Sequence, residues 1–282
     1  MKRMKKTEEY IFKLLMKGSA CVVVLGLGSL LWTVLSRGIH YLNWDMVSRV
    51  PQGGFYIGKE GGIANAIVGS LYLAGGSTLL ALFMSIPIVL FINVYIKKES
   101  ATGNIVRLVA DILFGIPSIV YGAFGFAIMI FFGLKTSLLA GIITVAMLIL
   151  PILVRAMDEV VKMTSQELPE TVLSLGATRW ETAKVVLRAA APGLFIALLI
   201  SFGRGIGDAA SVLFTAGYTD VMPVSLNEPA ATLPLAIFFQ LSSPIREVQG
   251  RAYASALLLT ILILVISLLS RLIRSRLSKH KV

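Results

Sequence analysis

Charge is scarce in this 282-residue chain: Asp, Glu, Lys and Arg make up 15% of it, where an ordinary soluble domain carries roughly 25%. Cysteine is rarer still, and because Cys21 is the single one, no disulfide can form within the chain. His40 and His280 lie far apart in sequence, so neither a metal centre of the usual histidine and cysteine composition nor a cofactor is expected. No G-x-x-x-x-G-K-S/T run exists, which removes the phosphate-cradling loop of a nucleotide site. Internal repeats and low-complexity segments are missing as well.

What remains is apolar. Hydrophobic residues reach 56% and mean hydropathy is +0.84. Runs of about 18 or more residues with few charges are long enough to cross a hydrocarbon core of roughly 30 Å as helices. The pattern predicts an all-α, polytopic membrane protein with six spans: Gly18–Ser36, Ala64–Ile96, Val106–Leu134, Ser137–Val161, Pro192–Gly217 and Ala252–Ile273. The basic start followed by an apolar run lacks a small-residue cleavage site, so it reads as a retained first span.

The net charge of +11 is unevenly placed. Lys2, Arg3, Lys5, Lys6, Lys13 and Lys17 precede the first span; Arg271, Arg274, Arg276, Lys279 and Lys281 follow or close the last. Clusters beside spans are topology signals and anionic-lipid contacts, so no nucleic-acid face is expected. The bias, together with Lys97, Lys98 and Arg107, puts both termini and the basic N-terminal residues 1–17 in the cytoplasm. Residues 37–62 and 218–250 then form outer loops. Within the second of these, the short apolar run Ala231–Leu241 suggests an interfacial or re-entrant helix. Pro87, Gly115, Pro117, Pro151, Gly203, Gly205 and Gly207 fall inside spans, suggesting helices that bend or pack closely.

Residues 164–188 are a polar island between apolar runs. Thr164 and Glu167 have capping-box spacing, Pro169 weakens the helix they open, and Gly176 suits a left-handed C-terminus. A second short helix from Thr178 would present Arg179, Trp180 and Glu181. The arrangement reads either as a helix-turn-helix dock for a partner or as an amphipathic loop in the headgroup layer.

Inside the spans, Arg204 stands out, because a charge near a span centre costs about 2.5–3.5 kcal/mol on insertion scales and normally faces protein or a water-filled path. Asp208, four residues on, shares its helical face. The pair reads either as an internal lock or as part of an anion path, since a guanidinium fork fits tetrahedral oxyanions and an adjacent carboxylate would prevent trapping. Intramembrane acids are otherwise limited to Asp111, read as packing or a helix-end contact. An intramembrane enzyme is therefore disfavoured.

The stretch Glu170-Thr-Val-Leu-Ser-Leu-Gly176, followed by Val186, resembles the EAA loop of ABC-importer permeases, with Thr171-Val172 in place of two alanines and Arg188-Ala189 in place of Leu-Pro. Gly115-Ile-Pro-Ser-Ile-Val-Tyr-Gly122, Arg204-Gly-Ile-Gly-Asp208, Leu213-Phe-Thr-Ala-Gly217, Thr232-Leu-Pro-Leu and Ser243-Pro244 are similar to the phosphate-importer permease family PstA, where Asp208 replaces a glutamate. The resemblance runs from about Ala64 to the C-terminus. It implies a type I (MetI-like) permease with a core bundle over 64–273, a cytoplasmic coupling loop over 164–188 and a location in a bacterial or archaeal inner membrane. It further implies a second, PstC-like permease subunit, two cytosolic PstB-like ATPases and an extracytoplasmic PstS-like phosphate-binding protein. Glu170, Gly176, Arg179, Trp180 and Glu181 would serve ATPase coupling, and Arg204 and Asp208 the path for inorganic phosphate. A permease for sulfate, molybdate or phosphonate, or a scaffold that only recruits an ATPase, are the alternatives.

Overall fold

The computed structural model describes residues 2–52, 60–96, 100–163 and 167–278, with side chains between Glu9 and Leu272. Thr164, Lys97, Lys98, Gly53, Gly54, Lys279 and Lys281 lie outside the described residues, as do the side chains of Lys2, Arg3, Lys5, Lys6, Arg274 and Arg276. Ten α-helices are described, α1 (Lys2–Gly38), α2 (Trp44–Ser48), α3 (Ala64–Leu90), α4 (Ala101–Phe114), α5 (Ser118–Phe131), α6 (Leu138–Met163), α7 (Leu168–Ser174), α8 (Arg179–Ile206), α9 (Leu233–Leu241) and α10 (Arg246–Ser278). A π-helical turn, Phe91–Tyr95, extends α3, and a two-residue antiparallel ribbon pairs β1 (Pro51–Gln52) with β2 (Glu60–Gly61).

Among the described residues, five helical segments are long and apolar enough to cross a membrane: Glu9–Gly38, Ala64–Tyr95, Leu138–Met163, Arg179–Ile206 and Arg246–Leu272. The third expected span is broken. Where Val106–Leu134 read as one helix, α4 and α5 meet at 96°. Pro117 cannot donate to a helical ladder and clashes with the preceding turn, and Gly115 gives the chain room to bend. Tyr121 Oη donates to the Leu113 carbonyl at 2.9 Å, satisfying an acceptor that the break leaves without its helical partner.

α3 and α6 make the most extensive packing in the bundle, and α8 lies against both. Their interface is built from small and branched side chains. Ala74, Ala81, Val145, Ile149 and Leu153 have essentially no exposure, as expected where helices associate in lipid through close van der Waals fit. α1 packs on α10, where Gly38 meets the Tyr253 backbone and the Arg37 guanidinium stacks 5.2 Å from the Tyr253 ring. The apolar stretch of α1 is otherwise open.

The last span begins earlier than its hydropathy suggests, because Arg246–Gly250 is already helical. The expected outer loop therefore ends at 245. Within it the first half of α9 packs into the bundle, with Leu233, Leu235 and Ala236 fully covered, while Phe238 and Leu241 stay exposed. Thr232 accepts from Leu235 N as its cap, and Ser70 Oγ on α3 accepts from Leu233 N at 2.7 Å.

Candidate functional site

α8 stops at Ile206, where the sequence suggested a span continuing to Gly217. Gly205 and Gly207 flank the end, and glycine destabilises a helix interior by about 1 kcal/mol relative to alanine. A Cβ on Gly205 would lie 3.4 Å from Val145 and 3.6 Å from Ser77 Oγ. Ser77 stands at the middle of α3 and Val145 in the first third of α6, so Arg204 lies level with the interior of both spans although it sits in the last turn of its own helix. A cation there also complements the C-terminal end of the helix dipole.

Arg204 Nη1 is 3.6 Å from Asp208 Oδ1. Their exposures differ sharply. The Arg204 side chain is 48% accessible and that of Asp208 4%. Asp208 Oδ2 also accepts from Ser211 N at 2.9 Å, so one carboxylate closes the turn after α8 and faces the guanidinium. The hydroxyls of Ser201 and Ser211 are buried without a hydrogen-bond partner. Sequence reading missed both, since isolated serines in apolar spans carry no distinguishing pattern.

Residues 207–217 then run as turns through the bundle. Such backbone is tolerated at membrane depth only when protein covers it or water lines it. Here, Ser137 N donates to Thr215 O at 3.0 Å and Ala230 N to Ala216 O at 3.0 Å. The glycines of the neighbouring helices make room. A Cβ on Gly122 would stand 2.8 Å from Ala210 O, and one on Gly141 2.8 Å from Ala216 Cβ.

The polar island has a different form from the one expected. α7 opens at Glu167 without a side-chain cap, and Pro169 falls in its first turn, where a missing amide is harmless. Gly176 has φ +87°, the left-handed turn that its position predicted. The second helix is not short: Arg179 begins the 28-residue α8. The capping box sits at this start, where Thr178 accepts from Glu181 N and Glu181 Oε2 accepts from Thr178 N at 2.8 Å. α7 rests only on α8 among the described elements with extensive packing.

Glu170, Gly176, Arg179, Trp180 and Glu181 are all exposed. Leu175 is 83% and Trp180 59% accessible, and Lys184 Nζ lies 5.1 Å over the Trp180 ring. The Arg179 guanidinium donates to the Tyr95 carbonyl at the end of the π turn. Between these elements lies an apolar groove of about 510 Å³ lined by Pro87, Leu90, Phe91, Trp180, Lys184 and Leu187, among others.

A buried charge cluster near this end was not expected. Asp158, with no exposed surface, accepts from Arg107 Nε at 2.9 Å and Asn93 Nδ2 at 2.8 Å, and pairs with Lys162 Nζ at 2.7 Å. Asp111 is paired with Arg155 at 2.8 Å rather than serving as a simple helix-end contact. Arg107, one of the charges behind the expected orientation, is within α4, which Ser100 caps by accepting from Gly103 N. Asp111 and Asp208 are thus not the only acids of the apolar helices; Asp158 and Glu159 share α6.

Broken and continuous apolar helices around a central, partly irregular crossing make a polytopic membrane bundle, and its relatives are membrane permeases. The sequence signature described as "Binding-protein-dependent transport system inner membrane component" matches residues 79–279. Phosphate transport system permease protein PstA of Haemophilus influenzae is 30% identical over 267 residues, covering 92% of each chain. PstA 1 of Mycobacterium tuberculosis is 32% identical over 268 residues, covering 91% of this chain and 84% of its own. The chain belongs to the binding-protein-dependent transport system inner membrane component family, and within it to the PstA group. An inward-facing structure of the MetNI methionine ABC transporter shares the fold, with TM-score 0.62 at 19% identity over 76% of this chain and 95% of that one.

Proposed function

We propose that this chain is the permease subunit of an ATP-driven importer for inorganic phosphate. The observation that carries the reading is the half-exposed Arg204 level with the interior of α3 and α6, neutralised on one side by a buried Asp208, in a chain so similar to PstA along its length. A guanidinium with open donors suits phosphate oxygens. The neighbouring carboxylate weakens its hold, which a conducting site needs for release.

In this reading a second, PstC-like permease subunit completes the path, two PstB-like ATPases bind on the cytoplasmic side, and a PstS-like protein delivers phosphate from outside. The permease name of the relatives and the permease fold support such partners. The charge bias supports cytoplasmic termini and a cytoplasmic island, within a core bundle over 64–273. Exposed Trp180 and Arg179 give the island the anchor residue types favoured at protein interfaces. ATP binding closes the ATPases, the island moves with them, and the bundle reorients.

The test is reconstitution of the assembled transporter in proteoliposomes with ATP and radiolabelled phosphate. ATP-dependent uptake that excess sulfate, molybdate or phosphonate fails to suppress supports the reading; preferential suppression by one of them reassigns the cargo. A scaffold that only recruits an ATPase would hydrolyse ATP and be indifferent to Arg204→Gln.

A further inference from the structure

We propose that Asn93 and Asp158 form a relay that passes movement of the island into the bundle through the π turn at the end of α3; this rests on the coupling reading above. Three observations meet there. First, the end of α3 is locally soft. Pro87 lacks the amide that would bond back to the preceding turn, and Phe91–Tyr95 then widens into a π turn, a form frequent at functional sites.

Second, this soft segment is held from two sides. The Arg179 guanidinium, from the first residue of α8, donates to the Tyr95 carbonyl. Two residues earlier, Asn93 Nδ2 donates to Asp158 Oδ1 at 2.8 Å and to Val89 O at 2.9 Å. A shift of the α8 start must therefore drag the π turn or break the Arg179 bond.

Third, Asp158 distributes what reaches it. Its carboxylate takes Arg107 from α4 and Lys162 from its own helix, while Arg155 Nη1 stands 3.9 Å away and is itself paired with Asp111 on α4. Glu159 lies 3.7 Å from Lys162. Three cations and three carboxylates thus balance, and a fully buried acceptor with good partners favours one discrete arrangement over gradual slippage. The relay links α3, α4 and α6, while α8 carries Arg204. Asn93 and Asp158 are positioning residues: neither belongs to the exposed docking face, and neither touches the path residues.

The experiment uses the assembled transporter with Cys21→Ser and Gly203→Cys, a site beside Arg204 where an added Cβ meets nothing within 4 Å. Alkylation of the new thiol by a membrane-impermeant maleimide is measured with and without ATP trapped by vanadate, so the readout needs no cargo. Asn93→Ala, which strands no buried charge, is expected to cut the ATP-dependent change in labelling roughly tenfold, as for one hydrogen bond to a charged group, while ATP hydrolysis and ATPase binding persist. Asn93→Gln, which keeps the amide donor, should restore part of the response, and Arg179→Ala combined with Asn93→Ala should be no worse than either alone. An unchanged labelling response in Asn93→Ala overturns the relay. So does loss of ATPase binding in that variant, or a parent complex whose labelling ignores ATP. If phosphate is not the cargo, uptake fails while the labelling response stays intact, so the two ideas fail separately.

Discussion

Asp208 is almost completely buried while Arg204, 3.6 Å away, keeps half of its side chain accessible. The carboxylate is committed by its second oxygen to Ser211 N; the guanidinium is not saturated by it. The pair therefore behaves as an anchored anion with a cation presented to whatever adjoins α8.

The first prediction separates the two partners. Arg204→Gln removes the charged donor and should reduce phosphate uptake on the order of 10- to 100-fold, the worth of a hydrogen bond to a charged group, without loss of membrane insertion. Asp208→Asn can still accept from Ser211 N but no longer neutralises Arg204. It should lower KM and turnover together, because the anion is held longer. Uptake kinetics across phosphate concentrations would show the split, and equal loss in both variants with unchanged KM would point to an internal lock.

Gly122 tests the irregular crossing. A Cβ there would press on the carbonyls of Ala210 and Ser211, at 2.8 and 2.9 Å, and neither can yield without moving the turn that Asp208 closes. Gly122→Ala should destabilise the purified protein by about 1–3 kcal/mol, the usual penalty of overpacking, and should impair transport. Gly203→Ala, where the added carbon meets nothing within 4 Å, should be neutral or slightly stabilising through helix propensity. Thermal unfolding of both in the same detergent makes the comparison.

The spans and the left-handed turn at Gly176 were readable because each depends on local pattern: hydropathy over a window, or a glycine after a short helix. The 96° break was signalled by Gly115 and Pro117 but hidden by the unbroken apolarity on either side. Asp158 was invisible for another reason. Its partners Asn93 and Arg107 are 65 and 51 residues away, and only the packing of α3 and α4 against α6 gathers them. Arg204 and Asp208, four residues apart on adjoining turns, were legible as a pair; their unequal burial was not.

At Gly176 the constraint is conformational, since nothing lies within 4 Å of an added Cβ while φ is +87°. The left-handed region costs non-glycine residues roughly 1–2 kcal/mol, least for Asn and most for β-branched side chains. Gly176→Asn should therefore keep ATP hydrolysis and uptake coupled, whereas Gly176→Val should turn α7 away from α8 and lower uptake per ATP hydrolysed. The ratio of the two rates in proteoliposomes is the measurement. If Asn and Val variants behave alike, the turn geometry is not what the island contributes.

The capping box at Thr178 and Glu181 fixes where α8 begins, and so where Arg179 points. Thr178→Val removes the hydroxyl that accepts from Glu181 N. Losing such a cap typically costs about 1 kcal/mol, which should fray the first turn of α8 more than it lowers global stability. Amide hydrogen exchange at residues 179–182 should speed up by roughly fivefold for that energy, while exchange in the buried middle of α6 stays unchanged. Thr178→Ser, which retains the acceptor, should exchange like the parent. Because Arg179 reaches Tyr95 only from an ordered first turn, Thr178→Val should also lower uptake per ATP. Faster exchange with full coupling would mean that the Arg179 contact survives fraying, and that the cap serves the helix alone.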